Sequence, residues 1–365
     1  MTPERDPAPD EAPHGILAGL REPIVQAPMA GGPSTPELAA AVSNAGGLGF
    51  LALSNKSLPV AQTELTRIRE LTGQAFGVNL LIASREEVDE RVLHSYAEHL
   101  ASQPESHGIE LAPSDASKSA DDGRQAMLDL IESARPPVVS FAFGCPVREL
   151  VDGLHAAGSE VWVTVTEPAE ARQAEAVGAD ALVVQGVEAG GHRGSFLDVD
   201  GHGELGLLPL LRLVAGTTDL PLVAAGGLGD ARAVAGALAA GAAAAQLGTA
   251  FLSSPEAGTP PAHRAALTEL EHTGLTRAFT GRRARGLINR FQIENTPHAP
   301  SAYPQVAQLT APLRSAALER DDAAELNLWA GQAHALTHDL PAGELVSRLG
   351  AGAREALMEA ATRWA

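Results

Sequence analysis

The sequence predicts an α/β protein built on a (β/α)8 barrel, with a smaller, mostly helical cap at its C-terminal end. Three observations carry this. Short apolar runs alternate with longer Ala/Leu/Glu-rich runs, the pattern of parallel βα units. There are eight such apolar runs, and they are apolar throughout rather than alternating, as expected of strands buried on both faces. Several helical stretches end in a glycine followed at once by the next strand, as in Ala157-Gly158, Val177-Gly178 and Ala240-Gly241.

The predicted strands are Ile24–Ala27, Gly49–Leu53, Ala75–Leu80, Val138–Phe143, Val161–Val165, Ala181–Val184, Leu222–Ala225 and Ala244–Leu247. The predicted helices between them are Pro36–Ala45, Pro59–Leu71, Glu86–Ala101, Pro146–Ala157, Ala169–Val177, Leu208–Val214 and Ala231–Ala240. Residues 1–13, rich in Pro and Asp, are expected to be a flexible tail rather than a signal peptide. Residues 14–255 form the predicted barrel, interrupted by an exposed polar loop over 104–122. Residues 256–365 form the predicted cap and C-terminal helix. They contain an arginine-dense loop (Arg277 to Arg290), a Pro/His segment (Pro297 to Pro304) and two helices, Pro312–Ala335 and Pro341–Arg363.

Composition narrows the function. With 365 residues and 45% hydrophobic content the chain can bury a large core. Its 45 acidic and 26 basic residues give a net charge of −19, which argues against nucleic acid or an anionic membrane as partner. One cysteine, Cys145, excludes an internal disulfide and a thiolate metal cluster, and reads as a small buried residue. The twelve histidines form no spaced metal set, so no metal is expected. No apolar run approaches a membrane span. A soluble cytoplasmic enzyme is expected, with homodimer formation left open.

A barrel carries its site at the C-terminal ends of its strands. There the chain places glycines, amides and hydroxyls, and almost no charge. The sixth predicted strand is followed by Glu188-Ala189-Gly190-Gly191-His192-Arg193-Gly194. Gly190 and Gly191 let backbone amides approach a ligand closely, and His192 can exchange protons near neutral pH. The seventh and eighth strands end in Gly226-Gly227 and Gly248-Thr249. These are the phosphate positions of such barrels, where backbone N–H groups serve without a lysine. No G-x-G-x-x-G or Walker fingerprint occurs. One phosphate pocket, neutral ring contacts and a facing histidine point to flavin mononucleotide (FMN).

The chain resembles the nitronate monooxygenase family, once called 2-nitropropane dioxygenase. The resemblance rests on Pro23-Ile24-Val25-Gln26-Ala27-Pro28-Met29-Ala30-Gly31, Phe76-Gly77-Val78-Asn79, Val139 to Gly144, Gln185 to Gly194, Ala224 to Gly227 and Leu247 to Leu252. In the tail it continues through Tyr303-Pro304, Leu313-Arg314 and Leu328-Trp329-Ala330-Gly331-Gln332. It implies that Ala27, Pro28 and Met29 contact the isoalloxazine ring. It implies amide contacts to ring or ribityl chain from Asn79 and Gln185, and a phosphate and ribityl shell of Gly190, Gly227, Gln246, Gly248 and Thr249. It makes His192 the active-site histidine and places Tyr303 by the substrate pocket. The implied reaction is oxidation of alkyl nitronates by O2 to a carbonyl compound and nitrite, with nitroalkanes left open as substrates.

His192 then serves as the base for a neutral nitroalkane or as a holder of nitronate oxygens; the sequence leaves both open. The Arg282-Arg283-Ala284-Arg285 cluster is expected to be a solvated loop or interface. Thr164-Val165-Thr166 departs from relatives that carry a lysine there. Two rivals remain: an NAD(P)H-dependent FMN reductase acting on quinones or enoyl thioesters, and a catalytically silent flavin-binding protein.

Overall fold

The computed structural model describes residues 15–54, 56–82, 88–103, 106, 108–111 and 120–364. Its main sheet holds eight parallel strands: β1 (Ile24–Gln26), β2 (Gly49–Ala52), β3 (Phe76–Leu81), β4 (Val138–Ala142), β5 (Glu160–Val165), β6 (Ala181–Gln185), β8 (Leu222–Ala225) and β9 (Ala244–Leu247). Neighbouring strands follow chain order around the sheet, and β9 returns to β1 with Val25 opposite Gln246. A parallel bridge between Val25 and Leu48 joins β1 to the approach to β2 and closes the barrel. All eight predicted strands are present, with ends shifted by at most one residue.

Inside the barrel, Trp162 packs with Phe50, their ring centroids 5.8 Å apart. Gly77 makes room for that ring: a Cβ there would lie 2.2 Å from Phe50. The short helix Gly15–Ala18 packs Leu17 into the same cluster at the N-terminal end. Glu160 ties it down, accepting from Ile16 N at 2.7 Å and Trp162 Nε1 at 3.1 Å. A second apolar layer, including Leu65, Ile131, Leu154, Leu182 and Leu210, lies between strands and outer helices. Two apolar faces explain why the strands lack alternation.

The tail departs from expectation in several places. A second sheet joins β7 (Gly191–His192), β10 (Thr273–Thr276) and β11 (Ala284–Leu287), all antiparallel. The arginine cluster is therefore not a solvated loop: Arg282, Arg283 and Arg285 are buried, and Ala284 and Arg285 lie in β11. The predicted helix Pro312–Ala335 ends at Glu319, Asp321 takes φ +53, and the chain then passes through turns to bridge Trp329 to Gly286. Helices Ala120–Ala134 and Pro261–Glu269 were not anticipated. The first begins inside the expected loop 104–122, whose Ser106 is buried; the rest of that loop and the tail 1–13 fall largely outside the described residues.

The final helix, Ala342–Trp364, packs Leu345, Val346, Leu349 and Ala353 against Leu38, Val42 and Val234 of the barrel's outer helices. Glu22, just before β1, forms an ion pair with its Arg354. This helix completes the barrel ring rather than belonging with the cap. Among the described residues, no helix is long and apolar enough to cross a membrane, and no group of three or more His, Cys, Asp or Glu could hold a metal ion.

Candidate active site

His192 reaches the barrel mouth because the chain turns sharply after β6. Gly191 takes φ +74 there, a conformation costly for a side chain. Gly190 passes so close to the cap that a Cβ would lie 2.5 Å from Ala330 C and Gly331 N. Gln185 fixes the turn from below. Its Nε2 donates to His192 O at 3.1 Å and its Oε1 accepts from Gly194 N at 2.8 Å. β11 fixes it from above, pairing Ala284 with His192 and Arg285 with Gly191.

The imidazole stands in an aromatic box. Its centroid is 5.5 Å from Phe143, 5.5 Å from Trp329 and 5.8 Å from Tyr303. Phe143 and Tyr303 also meet edge to face at 5.5 Å. The Arg282 guanidinium lies 3.9 Å over the Phe143 ring, a cation–π contact. Phe143 holds a left-handed φ of +72, and its amide donates to Gly194 O at 3.2 Å, joining the β4 end to the histidine turn. His192 Nε2 is 2.9 Å from Thr280 Oγ1. Burial, together with Arg282 and Arg314, pushes the imidazole down to about 3 against the opposing pull of Asp198. His192 is therefore neutral across the physiological range.

Two buried polar networks hold this box. Arg193 is fully buried and donates to the carbonyls of Gly186 (2.7 Å), Gln185 (2.8 Å) and Gly203 (3.2 Å). Burial, with Arg285 and Arg283 nearby, pushes its guanidinium down to about 10, still a cation at neutral pH. Asp198 accepts from Arg283 Nε at 2.9 Å and Arg277 Nε at 3.1 Å. Although burial opposes it, these guanidiniums hold the Asp198 carboxyl below its usual range. Arg283 also donates to Glu204 Oε1 at 2.9 Å. The loop after His192 is thus clamped to the cap.

The predicted phosphate residues come together at adjacent strand ends, since Ala225 and Gln246 are partners in β8 and β9. Gly226 and Gly227 take φ +109 and +69. Among the described residues, the amides of Gly227, Gly248 and Thr249 donate no hydrogen bond within the chain. Orphan donors at two neighbouring turns fit an anion. The cap closes over them: Gly331 N donates to Thr249 Oγ1 at 2.9 Å and Gln332 N to Glu188 O at 3.0 Å. Glu188 itself accepts from Leu207 N, capping the helix Leu207–Ala215.

Ala27, Pro28 and Met29 follow β1 and are partly buried. A methyl at Gly248 would stand 3.5 Å from both Ala27 Cβ and Met29 Sδ, so this loop borders the phosphate turns. Asn79 is buried and donates to Ser140 Oγ at 2.9 Å, and Gln246 is partly buried in β9. Burial pushes the Cys145 thiol up to about 11, far from a reactive thiolate. Sequence reasoning passed over Phe143, Thr280, Arg282 and Trp329 as site residues. Phe143 and Trp329 lay within the motifs noted; Thr280 carried no local signal.

Comparison with known proteins bears on this geometry. The nitronate monooxygenase family matches residues 16–352. Nitronate monooxygenase from Pseudomonas aeruginosa is 41% identical over 344 residues, covering 91% of this chain and 96% of that protein. The Paraburkholderia phytofirmans enzyme of the same name is 40% identical over 343 residues, covering 91% and 92%. Among solved structures, nitroalkane oxidase from Streptomyces ansochromogenes superposes with TM-score 0.89 at 48% identity, over 94% of this chain and 99% of that one. FabK from Thermotoga maritima shares the fold at TM-score 0.75 and 25% identity, over 95% and 97%. A barrel that turns a Gly-Gly-His segment into an aromatic box, matched along nearly its whole length, belongs to the nitronate monooxygenase family.

Proposed function

We propose that the chain is an FMN-dependent oxidoreductase that oxidises alkyl nitronates with O2, giving a carbonyl compound and nitrite. The observation that carries this is the pairing of His192, held neutral in its box, with unpartnered amides at the β8 and β9 ends. The residues fit FMN. The amides of Gly227, Gly248 and Thr249 would hold its phosphate, with Gly190, Gly191, Gly226 and Gln246 around it. Ala27, Pro28 and Met29 would contact the ring, and Asn79 and Gln185 would supply amides from below. When bound, FMN would supply a two-electron acceptor that O2 can reoxidise.

The chain's own groups bind and orient the substrate. Phe143, Tyr303 and Trp329 give apolar walls that exclude water, while Arg282 and Arg314 supply positive potential that favours an anionic nitro group. Tyr303 borders the substrate space. The names of the P. aeruginosa and S. ansochromogenes relatives support nitronates or nitroalkanes as the substrate class.

The test is aerobic turnover of propionate 3-nitronate and simple alkyl nitronates by the purified flavoprotein, with nitrite and O2 uptake measured together. No nitrite from any nitronate overturns the reading. A second reading, an NAD(P)H-dependent FMN reductase acting on quinones or enoyl thioesters, would use the same unpartnered amides at the β8 and β9 ends. Rapid anaerobic bleaching of the flavin by NADH or NADPH supports that alternative.

A further inference from the structure

We propose that Thr280 fixes His192 as the tautomer protonated on Nε2, leaving the Nδ1 lone pair to act as a base toward neutral nitroalkanes. This rests on the functional reading above and narrows it, because the sequence leaves the histidine two roles. A group that holds nitronate oxygens must offer them an N–H. A group that deprotonates a nitroalkane must offer a lone pair. Which of these His192 presents depends on where its single proton sits.

The surroundings decide it. Thr280 Oγ1 is 2.9 Å from His192 Nε2 and 3.2 Å from the Arg282 carbonyl oxygen. The hydroxyl has one proton to give, and a carbonyl can only accept. One arrangement alone makes both contacts hydrogen bonds: Oγ1–H to the carbonyl, and Nε2–H to Oγ1. The opposite arrangement would face the hydroxyl's lone pairs toward a carbonyl oxygen inside a buried turn, where lost hydrogen bonds are costly. Thr280 is 5% exposed and Arg282 2%. The turn is itself fixed, with Thr280 N and Gly281 N both donating to Arg277 O and Gly281 at φ +78. Among the described residues, Nδ1 has no hydrogen-bond partner.

The chemical step that follows is a proton transfer. The substrate C–H bond beside the nitro group breaks, and its proton goes to Nδ1. The electron pair moves into the new C=N bond of the nitronate, with the charge on the nitro oxygens. The imidazolium keeps its Nε2–H on Thr280, and nothing is oxidised or reduced. Arg282 and Arg314 stabilise the anion that forms. Thr280 is a positioning residue, since it acts on the reaction through the histidine.

Histidine-15N-labelled full-chain protein tests the assignment directly, with the His192 signals identified by their loss in His192→Asn. At neutral pH, Nε2 is expected to show a protonated shift and Nδ1 an unprotonated one; the reverse overturns the proposal. In Thr280→Val the two tautomers should mix. The kcat for a neutral nitroalkane should then fall about tenfold or more, by a larger factor than that for a preformed nitronate. Thr280→Ser should restore both the spectrum and the rate. A folded Val variant with unchanged nitroalkane kcat, or a folded Ser variant that restores neither, sinks the idea. If neither substrate form reacts in wild type, the functional reading fails while the 15N spectrum still judges the tautomer.

Discussion

Gly331 donates its amide to Thr249 Oγ1 at 2.9 Å, joining the returning cap segment to the end of β9. The same glycine lies against the histidine turn, for a Cβ there would stand 2.9 Å from Glu188 O and 3.1 Å from Gly190 N. Backbone on both sides leaves no flexible neighbour to yield. Gly331→Val is expected to lift the cap segment and weaken FMN retention about tenfold or more, at the 1–3 kcal/mol typical of overpacking. Flavin titration of the refilled protein measures it.

Gly227→Val should release the cofactor before it unfolds the chain. Position 227 takes φ +69, where a β-branched residue is strained, and its Cβ would approach Glu188 Cβ at 3.1 Å. Its amide is one of the orphan donors. The expected product is a folded, colourless protein by circular dichroism and visible absorbance. A yellow, fully loaded variant would place the phosphate elsewhere.

His192→Asn should separate the substrate forms. Asparagine keeps a donor but cannot take a proton at neutral pH, so nitroalkane turnover is expected to drop ~10²–10⁴-fold. Oxidation of preformed nitronate should largely persist. Unchanged rates for both forms, with flavin bound, would make His192 a turn residue only.

Arg193→Met should destabilise the fold by about 3 kcal/mol or more, because three buried carbonyls lose their donor at about 1–3 kcal/mol each. Urea unfolding followed by fluorescence reads the loss. A change below about 1 kcal/mol would show that water replaces the guanidinium.

Acid should weaken the cap through His263. This buried ring contacts Trp329 O at 3.1 Å, and burial pushes it down to about 4 from 6.5. The unfolded chain therefore binds the proton more readily than the folded one. Stability is complete above pH 6.5 and falls as pH drops toward 4, by about 3 kcal/mol at most at 1.36 kcal/mol per unit. His263→Gln should flatten that part of the stability–pH curve. An unchanged slope would assign the acid sensitivity to another group.

The barrel was legible because its strands are uniformly apolar: Val138-Val139 and Leu182-Val183-Val184 announce a sheet covered on both faces. The glycine turns were legible for a related reason, since close backbone approach leaves few residue choices. The second sheet was not. β7 is two residues long, and β11 carries Arg285, a residue type that composition assigns to the surface. Arg193 is buried because the carbonyls of the turns around it, seven to ten positions away, fold back onto it, and Arg283 because Asp198, 85 positions away, meets it. Thr280 was invisible for the same cause: its partner, His192, stands 88 positions away.

The final helix has a consequence for how the protein is made. Synthesis delivers β9, then the whole cap, and only afterwards residues 342–364, which fill the gap in the outer ring between the helices following β1 and β8. Glu22 waits for Arg354, its partner 332 positions later. The barrel wall is therefore completed by a segment that follows the whole cap in the chain. Losing residues 342–364 would spare every predicted flavin contact and still leave the wall open.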